Sequence, residues 1–271
     1  MKPVAFAYHR PRTLQEALEL LRSEPDCKVL AGGQSLVPLM NFRLSRPGAL
    51  VDINDVEGLD RVEPTDTGIR IGALVRHQVL SEHPLVREVH PVLAEAASHV
   101  GHWAIRNRGT LGGSLAHADP AAELPAAMVA LDATFELASA QGVREVPARS
   151  FFLGYLMTDL QPHELLVAVH VPKGEGRAFG FAEFARRPGD FALAGAFAEV
   201  GDGGAGAVTW FGVSGGPERC ALTFPADAAA REAAFAALVE SFDPGEDAPY
   251  RRHLAVLAAE RAYQQAVGRR G

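Results

Sequence analysis

Apolar residues at Leu14, Ala17, Leu18 and Leu21 fall on one face of a 3.6-residue period. Thr13 precedes them and Glu16 follows three residues later, the pattern of a capping box. A helix is predicted from Leu14 to about Ser23, closed ahead of Pro25. Lys28–Ala31 reads as a short buried strand, Leu36–Phe42 as a short helix and Leu50–Ile53 as a second strand. These elements form a first α+β lobe over residues 1–55. Gly68–Ala73 alternates like a strand, and Val92–Val100 carries a helical apolar stripe. Pro120 suits the first turn of a helix, with Asp119 as its cap, running through Glu123 to about Leu131. Strands follow at Thr134–Leu137, Gly142–Val146 and Leu165–Val171, completing a second α+β lobe over 56–173. Pro172–Gly176 is polar and rich in breakers, and marks a boundary. Beyond it, residues 177–271 read as strands at Phe179–Phe184, Phe191–Val200 and Ala207–Val213. Two Ala-rich helices, Ala226–Ser241 and Pro249–Val267, end the chain. The fold class is α+β, with an antiparallel sheet and helices in the last lobe.

Two glycine-rich runs interrupt this pattern. One is Val29-Leu30-Ala31-Gly32-Gly33-Gln34-Ser35, leading into Leu36. The other is Asn107-Arg108-Gly109-Thr110-Leu111-Gly112-Gly113-Ser114. Glycine permits positive φ and close approach of the main chain to a ligand. Successive backbone N–H groups then make a concave donor site for phosphate. Read as two loops closing on one extended anion, the runs point to a pyrophosphate, with Ser35, Thr110 and Ser114 as additional donors. The alternative for each run is a tight turn beneath a packed helix. Neither run is G-x-G-x-x-G at a helix start, and neither ends in the Lys-Ser/Thr of a P-loop. A passively held dinucleotide fits better than a hydrolysed triphosphate.

Composition narrows the classes. The formal net charge of −7 argues against a general nucleic-acid or anionic-membrane surface. No apolar run reaches the roughly 20 residues that span a bilayer, and the N-terminus lacks a secretory signal pattern; a cytoplasmic location is expected. Only Cys27 and Cys220 occur. Two distant cysteines cannot supply the four thiolates that an iron–sulfur cluster usually takes, so redox work needs an organic cofactor or a partner chain.

The remaining polar residues nominate no catalyst. His99 and His102 lack a third ligand, so no metal site is expected. No G-x-S-x-G elbow is present. Asp119 and Glu123, four apart, share one helix face. They could be acid–base groups, helix-end charges or acceptors for sugar hydroxyls; the last is preferred for Glu123 and capping for Asp119. Arg186-Arg187-Pro188-Gly189-Asp190-Phe191 is either a surface hairpin or a turn that offers Phe191 as a flat face for a ring system.

The segments Ala31–Leu36, Ile105–Pro125, Arg186–Asp190 and Tyr250–Leu254 resemble the flavin-carrying medium subunit of molybdenum hydroxylases, the carbon monoxide dehydrogenase and xanthine dehydrogenase family. The resemblance spans essentially the whole chain, and the middle run is the most specific. It implies a vanillyl-alcohol-oxidase (PCMH)-type fold, in which two α+β lobes hold FAD and a C-terminal lobe packs against the flavin end. It places the first glycine run and Thr110–Ser114 around the pyrophosphate, and Glu123 near the cofactor's hydroxyls. Val100 and Leu166 fall at apolar lining positions, and Phe191 matches the residue against the isoalloxazine face. One departure is Ala182-Glu183-Phe184, where many relatives carry a lysine near the cofactor; this leaves the local electrostatics open.

The resemblance further implies an oxidoreductase subunit for electron transfer. A large molybdopterin subunit and a small [2Fe-2S] subunit would be its partners, in a dimer of heterotrimers, with a quinone, NAD or oxygen as acceptor. Two competitors remain: a self-sufficient flavin oxidase or reductase, and a scaffold that has lost its cofactor. The lack of a catalytic base counts against the first, and the intact glycines against the second.

Overall fold

The computed structural model describes residues 1–24 and 26–270; Pro25, the breaker expected after the first helix, and Gly271 lie outside the described residues. The first unit runs β1 (Ala7–His9), α1 (Leu14–Ser23), β2 (Cys27–Leu30), α2 (Leu36–Asn41) and β3 (Ala49–Asp52). Its three strands form a parallel sheet in the order β1-β3-β2. The capping box forms as expected. The Glu16 amide donates to Thr13 Oγ1 at 3.2 Å, and the Glu16 carboxylate accepts from the Thr13 and Arg12 amides. Ala17, Leu18 and Leu21 are the buried face.

The second unit begins with β4 (Val62–Pro64) and β5 (Gly68–Gly72). Six helices follow: α3 (His77–Glu82), α4 (Pro84–Val89), α5 (Pro91–His99), α6 (Trp103–Arg106), α7 (Leu111–His117) and α8 (Glu123–Ala130). It closes with β6 (Thr134–Ser139), β7 (Gly142–Pro147), α9 (Ala148–Phe151), the small hairpin β8 (Phe152–Gly154) and β9 (Met157–Thr158), and β10 (Leu165–Pro172). Its main sheet is antiparallel, in the order β4-β5-β10-β6-β7. The third unit is a meander of β11 (Ala178–Ala185), β12 (Ala192–Val200), β13 (Ala205–Phe211) and β14 (Glu218–Thr223), backed by α10 (Ala228–Val239) and α11 (Ala248–Arg270).

Two cores tie the units together, and a third lies within the last unit. Leu18, Leu21 and Val51 of the first unit pack with Leu74, Leu165 and Val167 of the second. The central core joins Ile71, Leu93, Leu111 and Phe135 to Phe181, Phe197 and Phe211 of the meander. In the third unit Ala255, Ala259, Ala262 and Ala266 let α11 lie close on the sheet. A Cβ at Gly180 would come 2.0 Å from the Ala262 carbonyl oxygen. Trp210 is fully buried there, and its indole N–H donates to the Ala255 carbonyl at 3.1 Å. Full burial of each such large side chain contributes about 1.5–3 kcal/mol.

Two expectations change. The second glycine run is not a loop throughout, because Leu111–His117 is helical with Thr110 as its N-cap. Asp119 does not cap the following helix. Its Oδ1 accepts from the Ala121 amide in a local turn, and the helix starts only at Glu123, with Ala122 at the cap position. β1, β4, β8, β9 and β14 and the short helices α3, α4, α6 and α9 lie outside the elements expected from the sequence.

Candidate functional site

The first glycine run leaves the end of β2 and wraps directly into α2. Gly33 has φ +71°, a conformation glycine adopts at no steric cost. The Gly33 carbonyl accepts from the Val37 amide at 3.1 Å, and the Gln34 side chain donates to the Gly32 carbonyl at 3.0 Å. The amides of Gly32, Gly33, Gln34 and Ser35 donate to no protein acceptor among the described residues. The Ser35 hydroxyl forms no cap hydrogen bond. Val29, Leu30, Ala31 and Leu36 flank this run, each half-buried.

The second run lies against the first. A Cβ at Gly32 would meet the Arg108 carbonyl oxygen at 2.4 Å and Gly109 Cα at 2.7 Å. Its own amides are differently committed. Leu111 donates to Val75 (2.9 Å) and Gly112 to Ala73 (2.8 Å). Gly113 donates to Thr110 Oγ1 (3.1 Å) and Ser114 to the Thr110 carbonyl (3.0 Å). Gly112 is required by packing, since a Cβ there would fall 2.5 Å from that of Ala73. Gly113 faces Ala31 of the first run, 3.9 Å from a Cβ built on it, and that Cβ would also come 2.7 Å from the capping Thr110 Oγ1. The Ser114 hydroxyl makes no hydrogen bond to the described residues.

Arg76 and His77, which the sequence reading did not single out, brace this junction. The Arg76 guanidinium donates to the Arg108 carbonyl and to Asn54 Oδ1 (2.6 Å). Asn54 Nδ2 in turn donates to the Ala31 carbonyl at 2.9 Å. His77 is 5% exposed, and its Nε2 lies 2.8 Å from the Thr110 carbonyl. Burial pushes its pKa down to about 4, so the ring is neutral and Nε2–H donates. Gly109 has no side chain because the His77 ring would lie 2.8 Å from its Cβ.

Further along, Glu123 opens α8 and is only 4% exposed. Burial, reinforced by the charge of Glu183, pushes its pKa up to about 8. Glu183 has a largely buried side chain. One oxygen lies 2.9 Å from His99 Nδ1 and the other has no partner. That hydrogen bond raises the His99 pKa, so the imidazolium is favoured beside the carboxylate. Val100 follows His99, half-buried against the central core. The Arg186–Asp190 turn reaches the same stretch. Gly189, at φ +83°, backs onto Gly101 and His102, and a Cβ there would come 2.8 Å from each. Phe191 leaves this turn 62% exposed. Leu166, by contrast, is buried within the core on β10. Asp119 is half-buried in the turn ahead of Glu123. Arg251 and Arg252 of the C-terminal motif bond to the carbonyls of Leu193, Pro244 and Phe242 and so hold the third unit together.

The 101–109 stretch thus touches the first glycine run, with its free amides, through Arg108 and Gly109, and the 186–191 turn, with its exposed Phe191, through Gly101 and His102. The donors and hydroxyls suit a pyrophosphate, and a carboxyl near neutrality suits a polyol. Two cavities, of about 180 and 390 Å³, lie elsewhere, beside Arg149 and Arg219 and beside His90 and Phe179. Among the described residues no His, Cys, Asp and Glu cluster could hold a metal, and no helix is long and apolar enough to cross a membrane. Cys27 and Cys220 are free thiols.

Residues 4–174 match the family described as the FAD binding domain in molybdopterin dehydrogenase. The chain is 48% identical over 200 residues to the 6-hydroxypseudooxynicotine dehydrogenase complex subunit alpha of Paenarthrobacter nicotinovorans, covering 72% of this chain and 67% of that one. It is 40% identical over 197 residues to the carbon monoxide dehydrogenase medium chain of Hydrogenophaga pseudoflava, covering 72% and 69%. Among solved structures it superposes with a TM-score of 0.94 on carbon monoxide dehydrogenase from H. pseudoflava, in a form lacking the Mo-pyranopterin moiety of its molybdenum cofactor. That match has 34% identity and covers 99% of each chain. Quinoline 2-oxidoreductase from Pseudomonas putida 86 superposes with a TM-score of 0.91 at 37% identity, again over 99% of each chain. Fold, surface and relatives agree: the chain belongs to the family of FAD-binding medium subunits of molybdenum hydroxylases.

Proposed function

We propose that this subunit carries electrons out of its complex. It would take them from [2Fe-2S] centres of a small partner subunit and pass them through FAD to an external acceptor: a quinone, NAD or oxygen. Substrate oxidation would occur at molybdenum in a large subunit, the whole being a dimer of heterotrimers in the cytoplasm. Units 1–55 and 56–173 would hold FAD between them, with 177–271 packed at the flavin end.

The observation that carries this reading is the row of unused amides from Gly32 to Ser35, set against the second glycine run. Residues Val29–Leu36 would grip the pyrophosphate from one side. Thr110, Gly112, Gly113 and Ser114 would close the other, chiefly through hydroxyls and a close backbone approach. Glu123, with Asp119 ahead of it, would meet the cofactor's hydroxyls. A carboxyl with a pKa near 8 is protonated at neutral pH, so it both donates and accepts there. Val100 and Leu166 would form the apolar backing, and Phe191 would lie against the isoalloxazine ring. FAD supplies the redox chemistry; the protein's own work is to bind it, orient it and set its surroundings. Glu183 would be held by its hydrogen bond to His99, which raises the pKa of that imidazole.

The test uses a complex assembled with Gly113→Asp subunit. Substrate-dependent reduction of a dye that draws electrons from the molybdenum and iron–sulfur subunits should persist, while reduction of the physiological acceptor is lost along with FAD. Unimpaired acceptor reduction by a FAD-free complex would refute the assignment.

A further inference from the structure

Arg76, four residues beyond β5 at the N-cap position of α3, spans the seam between the two glycine runs without belonging to either. One arm of its fork holds the Arg108 carbonyl and the other holds Asn54 Oδ1 at 2.6 Å. Asn54 completes the span by donating to the Ala31 carbonyl at 2.9 Å. It is itself fixed by Asp52, whose Oδ1 lies 2.5 Å from Nδ2 and accepts from the Asn54 amide at 3.0 Å. Asp52 is anchored in turn by the Tyr8 hydroxyl at 2.5 Å. The Arg108 carbonyl held by Arg76 is the same atom on which Gly32 rests, 2.4 Å from a Cβ built there. Beside this strut, the His77 amide donates to the Gly109 carbonyl and its ring to the Thr110 carbonyl, fixing the second run from below.

We propose that Arg76, acting with Asn54, is the positioning residue that sets the separation of the two glycine runs and so the width of the pyrophosphate cleft. The inference rests on the assignment of FAD to those runs. A guanidinium is planar and presents donors in a rigid fork, so it serves two acceptors on different segments at once. A lysine ammonium at the end of a flexible stem is a point charge and cannot fix both distances. Charge alone therefore does not reproduce the strut. The charged groups around it are Arg108, Asp52 and Asp60, so the seam carries two cations against two carboxylates before any ligand enters.

Arg76→Lys and Arg76→Met in the full-length chain, with thermal unfolding to establish folding, test the proposal. Affinities for FAD, ADP and riboflavin are measured against the unaltered protein. The expected result is a loss of tenfold or more for both FAD and ADP in both variants, with riboflavin unaffected, since only the pyrophosphate end is disturbed. Full affinity in folded Arg76→Lys would reduce Arg76 to a point charge and overturn the positioning role. Unchanged ADP binding alongside weakened FAD binding would also overturn it, by placing the effect at the flavin end. Failure of the unaltered chain to bind FAD or ADP at all, alone or in its complex, would instead remove the assignment on which the proposal rests.

Discussion

Replacing Glu123 with glutamine removes a titration that the fold makes costly. The carboxyl is 4% exposed, and burial followed by the nearby Glu183 charge moves its pKa from 4.5 to about 8. Between these values the native chain holds a proton that the unfolded chain releases, so stability falls as pH rises. Each pH unit in that window costs about 1.4 kcal/mol, and the whole window roughly 5 kcal/mol. Below pH 4.5 both states are protonated and the penalty vanishes. Above pH 8 it is constant. Glutamine is nearly isosteric and cannot ionise, so Glu123→Gln should match the original protein near pH 5 and exceed it progressively towards pH 9. Urea unfolding of the FAD-free chain across pH 5–9 reads this difference directly. Parallel stability curves for the two proteins would show that Glu123 ionises without penalty, and the buried-carboxyl account would be wrong.

Other consequences follow from the same geometry. Gly32→Val should cost about 1–3 kcal/mol of stability, because the new Cβ meets main-chain atoms that cannot swing aside, and it should lower FAD content; denaturant midpoints and the 450 nm absorbance check both. Gly113→Asp should expel FAD, since charge and bulk enter between the runs; its Cβ also crowds the Thr110 hydroxyl at 2.7 Å, so thermal unfolding first establishes that the variant folds, and normal flavin content in the folded variant would contradict the cleft. For His77 the pKa is depressed from 6.5 to about 4, so its contribution is complete above pH 6.5 and is lost as pH falls towards 4. His77→Gln should flatten that acid limb, by about 3 kcal/mol at most, in urea titrations at pH 4–7.

The parts of this design that local chemistry controls were legible in the sequence. Thr13 and Glu16 announce their helix because both partners of the capping box lie within four residues. The two Gly-Gly pairs announce close backbone approach because no other residue permits it. The readings that missed depend on contacts between segments. Gly112 and Gly113 look like loop residues by propensity, yet they are helical. Ala73 leaves no room for a larger residue at 112, and Thr110 caps the turn. Asp119 looked like a cap because Pro120 follows it, but its carboxylate is spent on the Ala121 amide and the helix starts later. Arg76 and His77 carry no periodic or motif signal; their role exists only because the start of α3 meets both runs in space. The partner of Glu183 is His99, 84 residues away in sequence, so the electrostatics left open by the sequence depend on a contact that only the fold makes.

The central claim is that the two glycine runs form a FAD site. The most direct measurement is the flavin content of the purified chain, alone and co-expressed with its neighbouring-gene products, by visible spectrum and by identification of the released cofactor. The account predicts about one FAD per chain, at least in the assembled complex. Folded protein that carries no FAD in either preparation would contradict it.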